Sequence, residues 1–323
     1  MSAATSIRNS DGYQLDRAAL DAVETVVVHG SCPDGMASAV LLHDALPDAR
    51  IVFAQHGTDA YQDMRSEPYM LFCDLVPPPE RAGEFVRAGA IVLDHHVKVR
   101  NVVDKFGHAG RYGDGESGAL LAFRYVWDPI CGGERENKVR ATARHFAELA
   151  SVRDCWERED PRWNEACAQA SALLFYGQDE WLDLARPFWP SSQPILQERI
   201  RVGGISHANK LRGLKRSLDG AYWTRTGRGC RVVMVNGGSI SDLAEAIGDK
   251  ADVVLSFNYD VDDGVPSLKV SARSHGGVDV GAVAVRYGGG GHQKAAGFRL
   301  KVEEEERLDP YTLLTRKLVE ADL

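Results

Sequence analysis

Four short apolar runs punctuate the first hundred residues, at 25–28, 51–53, 70–72 and 91–93, and the stretches between them carry helical patterns. Short apolar runs alternating with helices are the signature of a parallel sheet with crossover helices. Residues 35–46 and 80–88 read as two of those helices, the second entered through Pro77, Pro78 and Pro79, which suits a helix start. Further helices are expected at 117–127, 138–151, 164–175 and 180–185. The fold class is therefore α/β, with a doubly wound, mainly parallel sheet.

A cluster of Pro187, Pro190, Ser191, Ser192 and Pro194 marks a change of regime, followed by a polar helix over about 195–218. Beyond it the pattern becomes β-rich, with strands at 222–224, 231–235, 253–259 and 267–272, a turn at Asp262, Asp263 and Gly264, and helices at 242–247 and 279–285. With 323 residues, 44% of them apolar, the chain can build two cores. The expected organisation is a larger α/β domain at 1–190, a helical linker at 191–218 and a smaller α/β domain with a mixed sheet at 219–323, with a cleft between the domains.

No stretch approaches the length of an apolar membrane span, and the first residues lack a basic start followed by an apolar run. A cytoplasmic protein without a membrane partner is expected. The six cysteines form no CxxC pair and read as reduced thiols. A formal net charge of −8 argues against coating long nucleic acid, although acidic ligands around a cation leave room for a short anionic substrate. The basic segment 198–216 reads first as a solvated helix face.

In open parallel sheets, ligands bind beyond the carboxyl ends of the strands, so ionisable residues that follow apolar runs are the ones to inspect. The first run ends in His29 with Asp34 shortly after; the third ends in Asp74; the fourth ends in Asp94, His95 and His96. One strand-end aspartate is ordinary turn chemistry. Three converging strand ends of carboxylate and imidazole suit one or two divalent ions, Mn²⁺ or Mg²⁺ first, of the kind that hydrolyse phosphate esters through metal-activated water. Far downstream, Gly288, Gly289, Gly290 and Gly291 precede His292 and Lys294. Such a run either brings backbone N–H groups close to an anion or makes a tight strand connection.

Together these residues resemble the DHH phosphoesterases that carry a DHH-associated C-terminal domain. The resemblance rests on Asp94-His95-His96, on the segment from His29 to Gly35, on Asp74 after Phe72-Cys73, on Asp154 after Val152-Arg153, and on the GGGHxxAAG stretch from Gly289 to Gly297. It implies that Asp34, Asp74, His95 and Asp154 hold one metal and that Asp74 bridges to a second, near His29. It implies a catalytic pair in which Asp94 orients an imidazole and His96 faces the substrate phosphate. Arg273, Gly290, Gly291 and His292 would bind substrate. The family commonly has two aspartates in its first motif, and Cys32 stands at the first of those positions. Cys32 is either a packing residue, the reading favoured here, or a thiolate ligand that would shift preference toward Zn²⁺; otherwise the second site is empty.

The activity this implies is hydrolysis of phosphodiester or terminal phosphate bonds in short oligonucleotides or nucleotides, with homodimerisation left open. Exopolyphosphatase or phosphomonoesterase action is the enzymatic alternative, and a catalytically weakened nucleotide-binding regulator the non-enzymatic one. Cys73 and Cys155 are expected to point into packing, His56 to be a solvated loop residue, and Trp156 and Trp163 to be core, although both could stack on a base.

Overall fold

The computed structural model describes residues 8–9, 12–30, 32–133, 137–184, 186–262, 264–275, 277–302 and 309–320. The chain divides into two compact units, Met1–His207 and Ala208–Leu323, and the division falls inside a helix, Gln193–Asp219.

The first unit is built on five parallel strands: β1 (Thr25–His29), β2 (Arg50–Ala54), β3 (Met70–Cys73), β4 (Ile91–Asp94) and β5 (Gly110–Tyr112). Their order is β2-β1-β3-β4-β5. The chain reverses direction across the sheet between β1 and β3, which makes the carboxyl ends of these two strands the topological switch point. Valine-rich β1 is buried on both faces. Val26 and Val28 join a cluster with Leu41, Trp127 and Phe146, while Val27 enters the opposite one with Phe72, Phe85 and Val92. Each such fully buried side chain contributes about 1.5–3 kcal/mol of transfer free energy.

The helices that bear on the site and its core are α1 (Pro33–Ala45), α2 (Ala82–Arg87), α3 (Gly118–Ala122), α4 (Asn137–Asp154), α5 (Trp163–Leu182) and the start of α6 (Gln193–Asp219). Every residue of α1 from Asp34 to Leu42 is buried. Its entry is fixed by Cys32, whose Sγ accepts the Gly35 N–H at 3.1 Å, and by Pro33 in the first helical position. The helices expected at 164–175 and 180–185 are the two halves of Trp163–Leu182, which kinks at Gly177, where φ is +77°. Ala185 lies outside the described residues. Strand β5 was not expected, because Gly110, Arg111 and Tyr112 form no apolar run.

The second unit has a six-stranded mixed sheet made of β6 (Tyr222–Arg225), β7 (Arg231–Asn236), β8 (Val253–Asp262), β9 (Val265–Ser274), β10 (Gly290–His292) and β11 (Ala295–Lys301). The order is β10-β11-β9-β8-β7-β6, with β7 and β8 the parallel pair, joined through α7 (Ile240–Ile247). Strands β8 and β9 form a long hairpin closed by the pair Asp262 and Val265, with Gly264 at φ +79°; Asp263 lies outside the described residues. Two further helices, α8 (Val280–Arg286) and α9 (Pro310–Glu320), complete the unit, and Leu313, Leu314 and Leu318 of α9 join its main core. The basic stretch of α6 finds local partners: Arg201 pairs with Glu198 at 2.7 Å and Lys210 with Asp242 at 2.8 Å. Among the described residues, no helix is long and apolar enough to cross a membrane.

Candidate metal centre

The carboxyl ends of β1, β3 and β4 bring the strand-end residues together. His95 Nε2 lies 3.2 Å from Asp74 Oδ1, 3.3 Å from Asp154 Oδ2 and 3.8 Å from Asp34 Oδ2. One imidazole nitrogen thus faces three carboxylates, contributed by the start of α1, the end of β3 and the last residue of α4. His29 Nδ1 approaches the other oxygen of Asp74 at 3.5 Å, and Cys32 Sγ donates to that oxygen at 3.1 Å. Asp74 is 2% exposed and sits at φ +58°, a left-handed conformation that aspartate tolerates better than most residues.

Asp34, also 2% exposed, accepts the backbone N–H groups of Gly118 at 2.7 Å and Ala119 at 3.0 Å, at the start of α3. A carboxylate at a helix N-terminus is favoured by the exposed N–H groups and the dipole. Sequence reading missed Gly118. A Cβ on that residue would stand 2.6 Å from Asp74 Cβ and 2.9 Å from Asp34 Oδ2, so only glycine lets α3 approach both acids. A lone glycine before an apolar run carries no signal of that approach in the sequence.

Asp94, 1% exposed, holds His96: its Oδ1 accepts the His96 backbone N–H at 2.8 Å and lies 2.9 Å from His96 Nδ1. The imidazole of His96 is half exposed and can meet a ligand with Nε2, its pKa raised by the hydrogen bond to Asp94. His56 is an exposed loop residue whose ring centroid lies 6.1 Å from that of His29. Cys73 is fully buried and donates to the Gly118 carbonyl at 3.3 Å. The thiol of Cys155, expected to point away, instead groups with His95 and Asp154.

The electrostatics follow from placing like charges in a buried site. Burial and the neighbouring Asp74 and Asp154 push the Asp34 carboxyl well above its usual range, and burial raises Asp154. Burial opposes ionisation of Asp74 too, but hydrogen bonds from His29, His95 and Cys32 outweigh it and hold its pKa down. For His95, burial disfavours the cation, yet the bond to Asp74 and the charges of Asp34 and Asp154 prevail and push its pKa up to about 9. Burial and the acids beside it drive the Cys32 thiol far up. A buried cluster of acids is costly unless a cation balances it.

Among the described residues, three groups of side chains have ligand atoms within 4.8 Å of one another: His29, Cys32 and Asp74; Asp74, His95 and His96; and His95, Asp154 and Cys155. Oxygen-rich donors with imidazole fit Mn²⁺ or Mg²⁺, and the two flanking thiols widen the fit toward Zn²⁺. Because His95 carries a proton below about pH 9, a metal taking its nitrogen must displace that proton. Mn²⁺ binding is therefore expected to release protons at pH 7 and to tighten as pH rises, levelling off above about 9. Calorimetry in two buffers of different ionisation enthalpy reads this directly; binding without proton release would remove His95 from the ligand set.

Cys32 gives a second prediction. Serine and aspartate are both good N-caps, so either should preserve the entry into α1. Cys32→Asp is expected to tighten Mn²⁺ binding beside His29 and Asp74 by adding a hard oxygen donor, and Cys32→Ser to change metal content little. A large loss of bound metal in Cys32→Ser would show that the sulfur is a working ligand.

In the second unit, Arg273 lies on β9 opposite Ala295, its guanidinium donating to the Ala272 carbonyl at 3.0 Å and to Ser241 Oγ at 3.2 Å. The glycine run has separable reasons. Gly291, at φ +143°, could not carry a Cβ, which would meet the Ala295 carbonyl at 2.4 Å, whereas a Cβ on Gly290 would meet nothing within 4 Å. His292 ends strand β10 and pairs with Ala295 through the backbone register.

Comparison with known proteins places these units. The sequence model of the DHHA1 domain matches residues 230–310. No curated protein matches the chain. Among solved structures, the DHH domain of a member of a ribosomal-protein family is similar over 94% of this chain and 88% of its own, at 12% identity and a TM-score of 0.52. A pGpG-specific phosphodiesterase from Vibrio cholerae aligns over 93% of this chain and 100% of its own, at 15% identity and a TM-score of 0.48. An exopolyphosphatase-related protein from Bacteroides fragilis aligns over 93% of each chain, at 12% identity and a TM-score of 0.37. Residues 230–310 thus match the DHHA1 domain in sequence, and the chain shares its fold with the solved DHH-domain structure.

Proposed function

We propose that the chain is a metal-dependent phosphoesterase that hydrolyses phosphodiester or terminal phosphate bonds of short oligonucleotides or nucleotides. The observation that carries this reading is the meeting of His95 Nε2 with the carboxylates of Asp34, Asp74 and Asp154 at the switch point of the sheet. A divalent ion would be held there by Asp34, Asp74, His95 and Asp154, and would supply Lewis-acid polarisation of a phosphoryl oxygen and acidify a water toward neutrality. Asp74 offers an oxygen to each side of the cluster, one toward His95 and one toward His29 and Cys32. Asp34, anchored on α3, keeps α1 and α3 in fixed register with the acids. Asp94 holds His96 so that the exposed edge of the ring can donate to, or exchange a proton with, a phosphate ester.

The DHHA1 domain supplies the substrate grip in this proposal. Arg273 suits it because a guanidinium binds phosphate through two parallel hydrogen bonds, and the strand that carries Gly290, Gly291 and His292 supplies further partners for the same anion. Arg273→Ala is expected to weaken substrate binding by roughly 1.5–3 kcal/mol, the worth of a hydrogen bond to a charged group, with metal content unchanged. Elemental analysis showing metal loss in that variant would contradict the division of labour.

The test of the reading is turnover on a panel of short RNA, short DNA, adenosine 3′,5′-bisphosphate, linear and cyclic dinucleotides and polyphosphate, each with added Mn²⁺. Hydrolysis of a nucleotide substrate is the expected result. Cleavage of polyphosphate alone would favour the exopolyphosphatase alternative, and binding without turnover the regulator.

A further inference from the structure

Beside the metal centre, inside the first unit, lies a cavity of about 300 Å³ bounded by Asp34, Arg153, Asp154, Trp156, Gln169 and Leu173. That volume is within the range of small-ligand pockets. Two independent features of its lining call for a ligand.

The first is Trp156. Helix α4 ends in a stop in which the Glu157 N–H donates to the Val152 carbonyl at 3.0 Å and Trp156 takes φ +63°. This left-handed position after a helix cap is where glycine is favoured and a bulky side chain is strained. The helix stop itself has no need of an indole. The residue remains 41% exposed; its ring stands edge-on to Trp163 with centroids 5.3 Å apart, and the guanidinium groups of Arg153 and Arg158 lie over it at 4.3 and 5.4 Å.

The second is Gln169, 1% exposed on α5. Its Nε2 donates to the Phe146 carbonyl at 2.8 Å, which fixes the orientation of the amide and leaves Oε1 buried without a hydrogen-bond partner. A buried acceptor in a native protein is ordinarily paired. What this one lacks is an N–H donor.

An aromatic face, a guanidinium and a buried acceptor beside a phosphoesterase centre are the complement of a nucleobase, which offers a π-face, ring or carbonyl acceptors and an amino or imino donor. We infer that this cavity is a base-recognition pocket, which takes the base of a nucleotide whose phosphate lies at the metal centre. The base N–H meets Gln169 Oε1 and the ring lies against Trp156. This rests on the proposed phosphoesterase reading for the position of the phosphate. Polyphosphate has neither a π-face nor an N–H to offer these groups.

The experiment is calorimetric binding of AMP, GMP, CMP, UMP and ribose 5-phosphate to the full chain with Mn²⁺, in the wild type and in Trp156→Gly. Glycine suits the left-handed position, so this variant keeps its helix stop, and a melting curve checks that it does. The wild type is expected to bind its preferred nucleotide at least roughly tenfold tighter than ribose 5-phosphate, the loss expected when one stacked base is removed. That ratio should fall toward one in Trp156→Gly. Equal affinity for nucleotide and ribose 5-phosphate in the wild type, no binding of any nucleotide, or an undiminished ratio in Trp156→Gly would overturn the pocket. Phosphodiester turnover, measured on the same wild-type sample, reads the hydrolytic proposal separately: selective nucleotide binding without turnover would sink that proposal and leave the pocket supported.

Discussion

Asp74→Ala is expected to lower metal-stimulated hydrolysis by more than roughly 10³-fold, beyond the 10²–10³ that follows loss of a single oxyanion donor. The reason is geometric. Asp74 faces both halves of the cluster, with one oxygen 3.2 Å from His95 and the other 3.1 Å from Cys32 and 3.5 Å from His29. Its backbone at φ +58° complicates the alanine variant, since alanine disfavours the left-handed region that aspartate and asparagine accept. Asp74→Asn is the companion that separates charge from strain: it keeps the shape and the backbone preference while removing the carboxylate. Both variants should lose turnover, with Asp74→Asn nearer the wild type in thermal stability. Near-wild-type turnover in either folded variant would end the assignment of Asp74 to the centre.

Gly118→Ala should be the most damaging conservative change outside the acids themselves. A methyl there would press on Asp74 and on the Asp34 carboxylate, at 2.6 and 2.9 Å, and both acids are buried with little room to yield. Overpacking of this kind costs about 1–3 kcal/mol of stability. The larger effect is catalytic, because a shift of about 1 Å in a positioned group can cost about 10²-fold in rate. We expect a roughly hundredfold lower kcat with a folded protein and a modestly lower Tm. A Gly118→Ala enzyme with unchanged kcat and unchanged Mn²⁺ affinity would show that the approach of α3 does not set the position of the acids.

The first unit was legible because β1, β3 and β4 are buried almost throughout and therefore read as apolar runs, each ending abruptly where the chain leaves the core. His29, Asp74, Asp94, His95 and His96 stand at those ends, and the sheet order puts three of the strands side by side. Asp34 follows the end of β1 closely enough to be read with it, whereas Asp154 closes a helix, and only its place in a series of motifs singled it out. Strand β5, three residues without an apolar run, left no trace in the hydrophobic pattern, because an edge strand can be held by pairing with β4 alone. Helix α9 and strand β11 went unread although they carry local patterns, Phe298 and Leu300 alternating with exposed Arg299 and Lys301 on β11, and Leu314 and Leu318 one turn apart on α9. Gly118, the thiol of Cys155 and the buried acceptor of Gln169 carry no such pattern. Each matters through what approaches it in space.

The most direct measurement of the account is a Mn²⁺ titration followed by calorimetry and by turnover on the same short nucleotide substrate, in the wild type and in Asp74→Asn. Saturable Mn²⁺ binding is expected in the wild type, with turnover that rises with occupancy and disappears with chelator, and both are expected to be lost in Asp74→Asn. Hydrolysis that persists in chelator, or Mn²⁺ binding that Asp74→Asn leaves intact, would contradict it.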